Sequence, residues 1–256
     1  MPWLSGRTGA QRVDAALLGG EKVTLDGATL ASLGLFPLSL EWGKSKPATE
    51  YEEVPGRAGA LDLTLEDAAG AAHMGTRTLT VKVATDCPWA GLTSVKRALG
   101  AYAGRSVEVW AEELGGTVEG RMTMGAWDDG RHWSTCSLTF ECQPYVLGEA
   151  AEVELAEGLN ELQVDGNRPA LPVLTLTVSS TSGYAAVAAS TGETLKVVCS
   201  YGSVLVLDCD GREATADGAA VAPTLGSDWP ELAAGECSLT LTGCYGTLAY
   251  APRWMM

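Results

Sequence analysis

Val54-Pro55-Gly56-Arg57-Ala58-Gly59-Ala60-Leu61-Asp62-Leu63-Thr64 sets a turn-forming block directly against alternating leucines. Pro55 holds its own φ in the turn range, and Gly56 and Gly59 accept positive φ without strain. Leu61, Leu63 and Leu65 recur at every second position, so the stretch predicts a sharp turn feeding a half-buried strand. No nucleophile, general base or metal-ligand set accompanies it.

The same period of two runs outward in both directions. Leu38, Leu40 and Trp42 share one face, as do Leu79, Val81 and Val83, then Val107, Val109 and Ala111. Met122 and Met124 follow, then Cys136, Leu138 and Phe140, with Asp129-Gly130 as a hairpin signal between them. One segment departs from this pattern. Trp89, Leu92, Val95, Leu99 and Tyr102 are spaced by three or four, which predicts a helix over 89–103. Asp86 suits its N-cap, Pro88 its first turn and Gly104 its C-terminal stop. A boundary is expected near Pro144–Gly148, giving domains over 1–147 and 148–256. The second half offers short runs such as Leu174–Val178, Leu195–Cys199, Val204–Leu207 and Ser238–Thr242, separated by glycine-bearing turns. That spacing predicts an antiparallel sandwich.

The chain has 256 residues and 46% hydrophobic content, enough for a core in each of two domains. No apolar run is long enough for a transmembrane helix, and the first residues lack a secretory pattern, so folding in a cytoplasm is expected. Net charge is −15. Residues 1–148 hold 13 Lys and Arg against 18 Asp and Glu, whereas residues 149–256 hold 4 against 14. This balance argues against nucleic-acid binding by phosphate neutralisation, and it suits a surface past which DNA slides without adhering.

Chemistry is sparse. Seven cysteines show no Cys-x-x-Cys pair, and His73 and His132 are the two histidines, so zinc spacing is absent. Reduced, buried thiols are the expectation. No catalytic serine elbow, phosphate-binding loop or dinucleotide fingerprint occurs. Asp128-Asp129 and Glu112-Glu113 are neighbours that point to opposite strand faces, which prevents a shared acid–base pair. Asp208, Asp210 and Asp217 could gather at a cation, although charged ends of an edge strand explain them as well. Trp229, in Asp228-Trp229-Pro230-Glu231-Leu232, could stack on a sugar or plug the end of a sandwich. No catalytic, cofactor or metal site is expected.

The order of the motifs carries more than any one of them. The Val54–Leu63 loop and strand, Arg77–Val83, the helix, Gly104-Arg105, Gly120-Arg121 and Ser137–Tyr145 follow in sequence. In the second half come Asn167-Arg168-Pro169-Ala170-Leu171-Pro172, Leu205–Cys209, Asp228–Leu232 with Gly235, and Tyr250-Ala251-Pro252-Arg253-Trp254. In this order the chain resembles the distal tail proteins of siphophages from end to end. Gly235-Glu236-Cys237, where the family usually carries Gly-x-Asn, and Leu17-Leu18-Gly19-Gly20 are departures.

The resemblance implies a mainly β fold. A tail-tube-like N-terminal β-sandwich with one flanking helix would be followed by a galectin-like antiparallel β-sandwich. It implies a homo-hexameric ring at the virion tail tip, assembled in a bacterial host cytoplasm. Such a ring joins the tail tube protein to a lysin-like hub protein, with a receptor-binding protein as a further candidate partner, and DNA passes through its lumen. The implied role is structural, not enzymatic, with no cofactor and no membrane. Val54, Pro55, Gly56, Arg57, Gly59, Leu61 and Asp62 become a candidate intersubunit loop, in which Arg57 and Asp62 could pair across copies or locally. A saccharide-binding adhesin acting through the second sandwich, with Trp229 as contact, is the alternative.

Overall fold

A computed structural model describes residues 16–56, 58–65, 72–87, 89–130 and 133–256. Arg57, Pro88 and His132 lie outside the described residues. The chain divides into two compact units, residues 1–146 and 147–256. Both are built of antiparallel sheets, and α1 is the one α-helix among the described residues.

In the first unit the strands are β1 (Val23–Leu25), β2 (Ala28–Thr29), β3 (Phe36–Trp42), β4 (Tyr51–Glu52), β5 (Leu61–Asp62) and β6 (Arg77–Thr85). Helix α1 (Trp89–Gly100) precedes β7 (Ser106–Ala111), β8 (Gly116–Met124), β9 (Asp128–Asp129) and β10 (Ser134–Cys142), and β11 (Val146–Leu147) spans the boundary. The main sheet runs in the order β2-β1-β7-β8-β10-β6-β3, and β9 pairs with the start of β10. Alternation sends one side chain in two inward. Leu79, Val81 and Val83 of β6 sit beside Cys136, Leu138 and Phe140 of β10, all buried. Each such side chain contributes about 1.5–3 kcal/mol. Leu99 of α1 joins this cluster, with Val95 and Tyr102 packed against it, so the helix covers the apolar face of the sheet. The helix ends at Gly100, short of the predicted 103, and a run of turns reaches Gly104, whose φ of 80° stops the helical path.

The second unit holds β12 (Ala151–Leu155), β13 (Gly158–Val164), β14 (Val173–Val178), β15 (Tyr184–Ala189), β16 (Thr194–Val198) and β17 (Val204–Asp208). It continues with β18 (Glu213–Ala216), β19 (Ala219–Ala220), β20 (Gly235–Thr242), β21 (Cys244–Tyr250) and β22 (Arg253–Trp254). One sheet runs β12-β21-β14-β17-β18-β19 and the other β13-β20-β15-β16. Their inner faces share one core of residues including Leu174, Leu176, Leu205, Leu207, Leu239 and Leu248. This is the antiparallel sandwich that the spacing predicts. All seven cysteines are free thiols, and only Cys199 is more than slightly exposed. Burial pushes the Cys142 and Cys244 thiols up to about 11 and that of Cys209 to about 12.

Candidate functional site: an arm without a core

Strands β3 and β6 are antiparallel neighbours, with Trp42 opposite Leu79 and Leu40 opposite Val81. Such neighbours are ordinarily closed by a turn of two to five residues. Here thirty-four residues, 43–76, lie between them. The opening sequence motif sits near the middle of this excursion.

The excursion pairs with itself. At its root Gly75 donates its N–H to the Lys46 carbonyl at 2.9 Å, Ala48 donates to His73 at 2.7 Å, and the Ser45 hydroxyl donates to the Gly75 carbonyl at 2.8 Å. Farther out, Leu63 donates to the Glu50 carbonyl at 2.8 Å, and β4 pairs with β5 through Tyr51 opposite Asp62 and Glu52 opposite Leu61. The result is a ribbon with its turn at Pro55–Ala60. Gly56 and Gly59 have φ of 85° and 86°, and no atom lies within 4 Å of where a Cβ would stand. Their need for glycine is therefore one of backbone conformation, as the sequence predicts. Asp62 accepts the N–H of Thr64, just beyond β5 on the side away from the turn, at 3.0 Å. Hydrogen bonds from the Thr64 hydroxyl and N–H hold the Asp62 carboxyl below its ordinary range.

What the ribbon lacks is a core. Tyr51 is 61% exposed, Leu65 73%, and Val54 and Leu63 are exposed as well. Leu61 is half-buried. The expected half-buried strand over Leu61, Leu63 and Leu65 is thus corrected to a two-residue strand whose flanking leucines face solvent. The physical reason is that, among the described residues, no second layer of this chain lies over the ribbon. None of these residues belongs to either hydrophobic cluster.

The root, by contrast, is clamped by groups that sequence reading did not single out. Arg77, only 6% exposed, donates its Nε–H to the Gly43 carbonyl at 2.6 Å and lays its guanidinium 4.4 Å from the Trp42 ring centroid. Burial lowers the Arg77 pKa from its ordinary value. A Cβ on Gly43 would meet the Thr78 carbonyl oxygen at 2.8 Å, so only glycine passes at this point. The sequence signal available was Trp42-Gly43 at a strand end, with an arginine opening the partner strand.

The other candidates fall elsewhere. Trp229 is half-buried and packs against the core of the second unit, beside buried Leu232. Asp217 accepts the N–H of Val204 at the start of β17, whereas Asp208, at the end of that strand, accepts those of Asp210 and Gly211. Asp210 pairs with Arg253 at 3.0 Å. The three carboxylates are therefore spread along β17 and its turns, and no metal-holding cluster occurs among the described residues.

Architecture and arm together describe a mainly β protein of two units, the first bearing a ribbon that joins neither hydrophobic cluster among the described residues. Residues 165–254 match the family model of the siphovirus-type tail component, C-terminal domain. No curated protein matches the chain by sequence. The fold is shared with the crystal structure of SPP1 Dit (gp 19.1), described as a paradigm of the hub adsorption apparatus in phages that infect Gram-positive hosts. That likeness has a TM-score of 0.70 at 17% identity, over 91% of this chain and 98% of the other. The family match over residues 165–254 and the shared fold of the whole chain both agree with the order of the sequence motifs.

Proposed function

We propose that this chain is the ring subunit at the distal end of a long non-contractile phage tail. Six copies join the tail tube to the hub and its adhesion apparatus, and the protein acts by assembly, not by catalysis. Residues 1–147 form the ring, and residues 148–256 form a sandwich displayed around it. The observation that carries this reading is the arm over 43–76. A head-to-tail ring needs two different complementary patches on each subunit. A clamped ribbon that displays Tyr51, Val54, Leu63 and Leu65 to solvent has the character of one such patch. The likeness to SPP1 Dit supports a place in the hub, next to a tail tube protein on one side and tip proteins on the other.

The face of the main sheet opposite α1 is polar and suits a DNA conduit. Lys82 and Arg121 stand there with Glu41, Glu108, Glu119 and Glu141, a mildly acidic balance that offers phosphates no net attraction. Imaging and mass measurement of the purified protein test the reading. A six-fold ring of about 160 kDa, six times 26.6 kDa, is expected. A strict monomer at high concentration, with no affinity for tail proteins, would overturn it.

A further inference from the structure

The two sheets of the second unit have outer faces of different character. On the four-stranded sheet the large aromatic is already capped, because Lys196 lays its ammonium 3.8 Å from the Tyr184 ring centroid. Ala186 and Ala188 on the same strand are small. The edge strand β16 is covered by a later segment, with Thr224 donating to the Lys196 carbonyl at 2.8 Å and Asp228 to that of Thr194 at 3.0 Å.

The six-stranded sheet differs at its centre and at its margins. Alternation sends Leu174, Leu176, Leu205, Leu207 and Leu248 inward, and the residues between them outward. Thr175 and Thr177 of β14 therefore stand between Val206 and Val204 of β17 and Thr247 and Tyr245 of β21. Tyr245 is 50% exposed and Val204 44%, and Val173 at the end of the row is exposed as well. Carboxylates occupy both margins. Glu152 and Glu154 of β12 lie beside Ala249 and Thr247 at one side. At the other, Glu213 of β18 lies beside Asp208, and Asp217 accepts the Val204 N–H at 2.9 Å. The six strands contain no lysine or arginine. Arg212 and Arg253 lie off them, and Arg253 is paired with Asp210.

We propose that this face docks a partner protein whose contact surface has an aliphatic or aromatic centre flanked by lysine or arginine. The inference rests on the reading of the chain as a tail component, and it assigns the second unit a surface and a partner chemistry. Charge complementarity selects the occupant. A second copy would bring the same carboxylate margins against these, and like charges oppose such a contact. Polyanions are repelled for the same reason. Size agrees with a rim of opposite charge. Five strands and three alternating rows make the face roughly 19 Å by 14 Å. A stable protein contact buries about 800 Å² on each partner, so an occupant of the centre also covers the margins. Cationic groups there pair with Glu152 and Glu154 on one side and Glu213 and Asp217 on the other, which fixes register across a flat sheet. The valines and Tyr245 supply the desolvated centre.

Cross-linking in assembled tails tests this. A photo-crosslinking residue replaces Thr175, an exposed position at the centre of the face, in the full-length chain. Cross-links are expected to one tail protein other than this chain, within a segment that carries lysine or arginine on both sides of apolar residues. Cross-links to another copy of this chain, cross-links to a segment without basic residues, or none, overturn the proposal. A second variant adds Glu152→Lys, Glu154→Lys and Glu213→Lys, all at exposed positions, and is checked for an unchanged thermal midpoint. Its cross-linking should fall at least tenfold, and glutamates placed at the partner's cross-linked basic residues should restore it. An unchanged yield overturns docking by charge complementarity. Ring assembly of the purified natural chain is measured alongside. Its failure breaks the reading of the chain as a ring subunit, whereas intact rings without the cross-link break the docking face alone.

Discussion

Two long connections, one in each unit, look alike in sequence and behave in opposite ways. Residues 43–76 and residues 221–234 both carry proline, glycine and several large apolar side chains. The second connection folds down. Leu232 exchanges two 2.9 Å backbone hydrogen bonds with Ala170, and Leu232 and Pro230 are buried while Trp229 packs on the core. The first stands off, hydrogen-bonded to itself and, among the described residues, clamped at its root by Arg77. Both carry backbone pairing among the described residues, so the presence of hydrogen bonding does not separate them. The destination of the apolar side chains does. The second connection spends them on its own domain, whereas the first keeps them exposed, the character that the proposed contact between copies requires.

The sharpest way to break this comparison is to truncate one leucine in each connection. Leu232→Ala removes a fully buried side chain and should cost about 2–5 kcal/mol in denaturant unfolding. Leu65→Ala, by contrast, should lie within about 0.5 kcal/mol for the isolated subunit while weakening assembly. Equal costs in unfolding would erase the distinction. Next in size is the root of the arm. Gly43→Ala forces a Cβ against the Thr78 carbonyl, and a loss of about 1–3 kcal/mol is expected, measured as a lowered urea midpoint. At the tip, Gly56→Ala and Gly59→Ala meet no neighbour and carry only the conformational cost, about 1 kcal/mol each. Their effect should appear as faster local hydrogen exchange over residues 51–62, with global stability nearly unchanged.

The buried thiols give a pH test of the cores. Cys142, Cys209 and Cys244 have folded-state values raised to about 11, 12 and 11 from an unfolded value of 9.0. A raised value means that the stability they permit is fully present below pH 9 and is lost as pH climbs from 9 toward 12. Thermal midpoints should fall over that window, and replacing Cys209 by alanine should flatten part of the fall. In the folded protein at pH 8, half-buried Cys199 should react first with a thiol reagent.

Much of the fold was legible because period-two patterning is a local signal. The alternation at Leu79–Val83 and Cys136–Phe140 predicts which side chains face inward, and those side chains are buried. The helix was legible from its spacing of three and four, although its last turn was not, because Gly100 to Gly104 unwind where the chain turns toward β7. The turn at Pro55–Gly59 was likewise legible from residue type alone.

At the candidate site, sequence by itself determined the ribbon's chemistry: a turn that needs two glycines, and apolar residues at alternate positions. It could not determine that Leu63 and Leu65 face solvent, because alternation is the same whether the second layer comes from this chain or from another. Nor could it pair Arg77 with Gly43, residues thirty-four positions apart that only the β3–β6 register brings into contact. Periodicity is set by neighbours along the chain. Burial, clamping and an exposed sheet face are set by what lies across from them, and that is decided only in three dimensions.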